Sequence, residues 1–313
     1  MKLRTILLHL SLFLVTFFTT TVAGVTWLNR DPFELANFLV GLQYSMAILF
    51  ILTCHEFGHY FAARYHGVNA TLPFYIPTPA LVGFLNFGTF GAVIKTKSPI
   101  PSKKVMFDIG VAGPIAGFVA TLIVLVFGFT HLPGKDFILQ IHPNYFVEIQ
   151  NPPQGLALTF GHSLLYDSLS FLLTNPMEHF VPPMTEMYHY PFLCAGWFGL
   201  FVTAMNLIPI GQLDGGHLSY TMFGEQHRLV AKIAFGILIV LGIAGILPLL
   251  NINIEFNVGW LGWFFWALVL FFIIKLFHPA VEDETELDST RKIIGWITFG
   301  IFVVSFTPSP FNL

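Results

Sequence analysis

The chain has 313 residues, 55% of them hydrophobic and only 10% charged, with a mean hydropathy of +0.73. An ordinary soluble domain carries about 25% charged residues, so the composition predicts an all-α polytopic membrane protein whose first partner is the lipid bilayer. A net charge of −3 leaves no basic footprint for nucleic acid, and Cys54 and Cys194, without C-x-x-C spacing, indicate neither a disulfide framework nor a sulfur-ligated metal.

Apolar stretches near the roughly 20 residues needed to cross a bilayer fall at about 5–26, 35–54, 106–130, 193–209, 229–250, 259–277 and 291–307. They predict six or seven transmembrane helices. The first stretch also fits a signal peptide, because Lys2 and Arg4 precede a short apolar core and "TVAG" looks like a cleavage site. With the first span starting in the cytoplasm, every Lys and Arg except Arg30 and Lys135 falls on the cytoplasmic side. "TCHEFGHYFAAR", residues 53–64, then closes the second span at its cytoplasmic end.

That segment carries the chemistry. Positions i and i+4 share one helix face, so His55 and His59 can hold one metal ion. Glu56 reaches a water on that ion instead of the ion itself, which is the mechanical content of H-E-x-x-H. An ionisable residue at the centre of a membrane helix costs on the order of 2.5–3.5 kcal/mol. Zinc binding supplies about 10–16 kcal/mol, enough to offset several such groups, whereas a plain polar cluster offers no such compensation.

Residues 67–104 connect the second and third spans and are repeatedly broken by proline and glycine, so no uninterrupted helix fits. "GTFGAVIKT" reads as a short strand with glycine corners, predicting a β-hairpin or re-entrant segment after the H-E-x-x-H helix. The strand can pair edge to edge with an unwound substrate, with Gly88, Thr89, Phe90 and Gly91 as the substrate-binding residues, or it can simply cover the site. The connection at about 131–190 faces the outside and holds His131, His142, His162, His179 and His189. Scattered surface histidines are favoured there over a second metal site. The acidic run "VEDETELD" reads as a solvated loop.

Zinc needs a third protein ligand and an open position for water. Ala62 and Tyr65 stand where a metzincin has Gly and His, and His66 is too far along the helix axis to share the ion. Asp214, in "NLIPIGQLDGGH", is the leading candidate: Pro209, Gly211, Gly215 and Gly216 break the helix at the level of His55 and His59, and broken helices line functional cavities. Asp108 is the runner-up, with a helix-start carboxylate as its bland role. His217 either orients the Asp214 carboxylate or faces solvent.

"HEFGH" in one membrane helix, "AGPIAG" in the next and "NLIPIGQLDGG" further on resemble the site-2 protease family of intramembrane zinc metalloproteases, over most of residues 35–225. "GTFGAVIKTKSPIPSKKVMFDIGVAGPIAG" and the tail from Phe277 are similar to the branch without a PDZ domain, which includes bacterial members and chloroplast proteins of plants. The connection at 131–190 is too short and too poor in strand pattern for a PDZ module. The resemblance implies one zinc ion on His55, His59 and Asp214, Glu56 as the catalytic acid–base, and Asn206 positioning substrate or the developing oxyanion. It implies hydrolysis of peptide bonds in or near the transmembrane segments of protein substrates, in a bacterial cell membrane with the site toward the cytoplasm. The chain then divides into an N-terminal helix and connection (1–34), a catalytic membrane core (35–225) and C-terminal helices (226–313). Three other readings of the residues are a prenyl-protein-type membrane zinc protease, which expects glutamate as third ligand, a transporter or channel with polar groups along its path, and an inactive scaffold, which the presence of all four core residues disfavours.

Overall fold

The computed structural model describes residues 3–78, 86–148, 158–177, 180–250, 258–279 and 281–312. Helix α1 (Leu3–Trp27) leads through a 3-10 segment, Leu35–Gly41, into α2 (Leu42–Tyr65). A hairpin follows, with β1 (Phe74–Pro77) antiparallel to β2 (Thr89–Val93) and Tyr75 opposite Ala92. Helix α3 (Lys103–Thr130) begins where the Ser102 hydroxyl accepts from the Val105 N–H, at 3.3 Å, satisfying one of its orphan donors.

The connection from α3 holds α4 (Lys135–Ile141), α5 (Tyr145–Glu148), β3 (Thr159–Phe160) and α6 (Leu164–Leu173). Then come α7 (Pro191–Leu207), α8 (Asp214–Phe223), α9 (His227–Ala244), α10 (Gly262–Val269) with a π-helical extension to Ile274, and α11 (Ser289–Ser305). A last strand, β4 (Phe311–Asn312), pairs with β3.

Among the described residues, four helical stretches are long and apolar enough to cross a bilayer: 3–27, 35–65, 103–130 and 214–244. The expected spans at 193–209, 259–277 and 291–307 are shorter helices of 17, 13 and 17 residues. The span expected at 229–250 corresponds to α9, which follows α8 after a break at Gly224, where φ of +54° and ψ of −130° are not helical. Helix α7 can be short because it lies inside the bundle: Trp197, Phe198, Leu193 and Leu200 are almost fully buried. The chain is an all-α polytopic membrane protein, its described strands confined to the β1–β2 hairpin and the short β3–β4 pair.

The centre of the bundle is α2, α3 and α7, with α1 on α2, α8 on α3 and α11 across α3, α7 and α8. The α2–α3 contact is a small-residue seam. A Cβ on Gly58 would meet the Ala112 carbonyl at 2.5 Å, and one on Gly117 would meet His55 at 3.0 Å. Without a hydrophobic driving force between helices in lipid, such close backbone approach is what holds them. The end of α2, the start of α3, the end of α7 and the start of α8 therefore meet at one face of the bundle.

Candidate metal centre

His55, Glu56 and His59 are all buried on α2. The two histidine Nε2 atoms lie 3.1 Å apart, and each is 3.3 Å from Oδ2 of Asp214. Zinc–nitrogen bonds of 2.0–2.1 Å in a tetrahedron give ligand–ligand edges of about 3.3 Å, so this triangle fits one such ion. The tautomer fits as well. His59 Nδ1–H donates to the Ile109 carbonyl at 2.7 Å, leaving Nε2 with a lone pair aimed at the shared point.

Asp214 arrives there because the chain breaks after Leu207 and restarts as α8 with Asp214 in its first turn. The break is fixed by Gly211, whose φ of +60° is costly for other residues. Its N–H donates to the Leu276 carbonyl at 3.0 Å, and a Cβ would run into the Lys275 carbonyl. The helix dipole at the start of α8 favours the Asp214 carboxylate.

The other candidates sort cleanly. Asp108 is 2.9 Å from His66 Nε2 and accepts two bonds from Arg291 of α11, from Nε at 2.8 Å and Nη2 at 2.7 Å. It is an inter-helix clamp outside the triangle, and His66 is its partner. His217 neither bonds Asp214 nor stands free in solvent: its Nδ1 is 2.7 Å from His278 Nε2. The His278 ring stacks on Tyr220, and burial pushes its pKa down. Asn206, at the end of α7, has its amide nitrogen 3.4 Å from His55 Nε2.

A cavity of about 780 Å³ opens on the triangle and reaches along Ala92, Val93, Ile94 and Lys95 to Asn206. The Ile94 backbone N–H faces the Glu56 carboxylate. Only part of the expected substrate-binding quartet lies here. Phe90 and Gly91 border a smaller recess of about 130 Å³ beside Glu56 and Asn206. Gly88 and Thr89 are buried away from it, because the Gly88 carbonyl accepts from the Thr19 hydroxyl of α1 at 2.6 Å and the Thr89 hydroxyl donates to the Ile76 carbonyl. The cavity lining runs on directly after Gly91, through residues 92–95.

The loop before α11 is solvated as expected, with residues 282–286 and Asp288 exposed, and it is also tied to its neighbours. Asp283 exchanges backbone bonds with Lys103 and Pro101, and Glu284 accepts from the Tyr220 hydroxyl at 2.9 Å. Val281 and Glu282 line the cavity. No local sequence pattern marks this contact, since its two halves lie about 180 residues apart.

The profile of peptidase family M50 matches residues 43–249, which contain the whole triangle. The chain belongs to that family. Curated relatives include a probable zinc metalloprotease EGY2, chloroplastic, of Oryza sativa subsp. indica, 27% identical over 306 residues covering 95% of this chain and 49% of the relative. Another is a probable zinc metalloprotease EGY1, chloroplastic, of Arabidopsis thaliana, 26% identical over 96% of this chain and 52% of the relative. A probable EGY1 of Oryza sativa subsp. japonica is 33% identical over 65% of this chain and 32% of the relative. The chain spans about half the length of the relatives it matches over nearly its full length. An M50 chain with two histidines and a carboxylate at these separations has the donor set for zinc.

Proposed function

We propose that the protein is an intramembrane zinc endopeptidase that cuts peptide bonds within or near transmembrane segments of other membrane proteins. The observation that carries this reading is the His55–His59–Asp214 triangle with buried Glu56 beside it, opening on a cavity bordered by strand β2. His55 lies about 15 Å inside the end of α2, from ten residues at 1.5 Å each, a depth suited to a substrate bond drawn from a membrane span.

One zinc ion held by His55, His59 and Asp214 supplies, when bound, a Lewis acid and a water acidified toward neutrality. Glu56 takes a proton from the attacking water and delivers it to the leaving amine. The Ile94 N–H orients the Glu56 carboxylate for both transfers. The Asn206 amide donates to the oxygen that gains charge as the carbonyl is attacked. Helical peptide bonds are shielded, so the substrate unwinds and lies beside β2, with Phe90 and Gly91 at the recess and Val93 to Lys95 along the cavity. The Lys and Arg of the connections support a site that faces the cytoplasm or its organellar counterpart. The relatives' names, which specify the chloroplast, give no support to a bacterial cell membrane in particular.

Quantitative proteomics of membranes carrying wild-type or Glu56→Gln protein tests the proposal. Single-span proteins that accumulate uncut with Glu56→Gln support it. Identical membrane proteomes, with the two proteins at equal abundance, overturn it.

A further inference from the structure

The connection between α3 and α7 brings together histidines far apart in sequence. His142, just after α4, has its Nε2 3.0 Å from Nε2 of His189, and Oε2 of Glu186 lies 3.5 Å from the first and 3.6 Å from the second. Of the other histidines of this connection, His131 stacks on Phe127 and His162 pairs with Asp167, while His179 lies outside the described residues.

The triangle of edges 3.0, 3.5 and 3.6 Å repeats the one at Asp214, with 3.1, 3.3 and 3.3 Å. The carboxylate separations are too long for good hydrogen bonds and near the roughly 3.3 Å edge of a tetrahedral zinc site. The orientation of one ring repeats too. His189 Nδ1–H donates to the Trp27 carbonyl at 2.5 Å, as His59 does to Ile109, so its Nε2 keeps a lone pair turned to the cluster. The His142 side chain is 31% exposed against 4% for His189, so the cluster has a solvent-facing side through which an ion can arrive.

We infer that His142, Glu186 and His189 form a second zinc site, on the membrane face opposite the first. Two imidazoles and one carboxylate suit zinc and leave its fourth position to water. The site lies past Thr130 at the far end of α3, whereas the first lies near Ile109. Twenty-one residues at 1.5 Å each separate the two by about 32 Å along the helix, so neither shares a ligand or reacting group with the other. Its role follows from what it joins. His142 ends α4, Glu186 and His189 lie just before α7, and the Trp27 carbonyl ends α1. Zinc there fastens the outer connection to the first helix and to the start of α7.

Zinc content of the purified full-length protein, without a polyhistidine tag, tests this by elemental analysis after EDTA treatment, reloading with Zn²⁺ and gel filtration. Two equivalents per chain are expected for wild type, one for His142→Ala, one for Glu186→Gln, one for Asp214→Asn, and none for His142→Ala with Asp214→Asn. Glu186→Gln preserves size and keeps one acceptor oxygen, so a loss of zinc there with an unchanged elution profile separates ligation from misfolding. His142→Ala and Glu186→Gln proteins that bind as much zinc as wild type overturn the second site. Loss confined to Asp214→Asn leaves a hydrogen-bonded His–His–Glu cluster instead, and says nothing against the first site.

Discussion

The seam between α2 and α3 makes a graded prediction. Gly113 and Gly117 face the two histidine rings: a Cβ at Gly117 would lie 3.0 Å from His55 Cβ and Nδ1, while one at Gly113 would overlap three atoms of the His59 ring. Ordinary carbon contacts are about 3.5–4.0 Å, so Gly117→Ala asks His55 to shift by roughly half an ångström. That is near the tolerance of about 0.5 Å for a functional constellation, and activity should fall by less than about tenfold with zinc retained. Gly113→Ala cannot be absorbed so gently. The His59 ring must move by more than about 1 Å, a displacement that can cost on the order of 100-fold in rate, and overpacking adds roughly 1–3 kcal/mol of destabilisation. Zinc content at the first site, thermal unfolding and cleavage of a reporter transmembrane peptide are measured together. Gly113→Ala protein that is folded, fully zinc-loaded and as active as wild type would refute the close approach of α3 to the ring.

Three further outcomes follow from the site. Asn206→Ala should keep zinc and lower kcat by about 100- to 1,000-fold, the loss typical of one oxyanion donor; an unchanged kcat with altered KM would assign Asn206 to substrate binding alone. Asp108→Asn should keep all zinc, because Asp108 is held by Arg291 and His66, whereas loss of the catalytic ion would restore Asp108 as a ligand. Arg291→Ala should lower stability by ~1 kcal/mol, the pair being about a quarter exposed on each side, with zinc content unchanged; a chemical denaturation midpoint identical to wild type would show the clamp to be idle.

The sequence showed the chemistry of α2 directly, because i, i+4 spacing is a local property of a helix and needs no tertiary information. Asp214 was legible through the proline and glycines around it, which mark a break in an apolar run. Other features depend on contacts that local patterns do not encode. "AGPIAG" was visible as a motif, yet its physical role, glycines that let α3 touch the His55 and His59 rings, emerges only when the helices are packed. The salt bridge of Asp108 to Arg291 spans 183 positions. The hairpin was expected from "GTFGAVIKT", but Gly88 packs against Thr19 and Thr20 of α1, leaving the cavity to residues further along the chain, from Ala92 to Lys95. Helix ends were the weakest part. Hydropathy marks a span over 229–250, whereas α9 starts at His227 and ends at Ala244.

Hydrolysis by a metal centre with Glu56 moving the proton is the centre of the account, and it is tested most directly with purified protein and a single-span substrate. Zinc content and cleavage are measured side by side for wild type and Glu56→Gln. The account predicts equal zinc in the two proteins and cleavage reduced below detection in the variant. Cleavage by Glu56→Gln at the wild-type rate, with the same products, would contradict it.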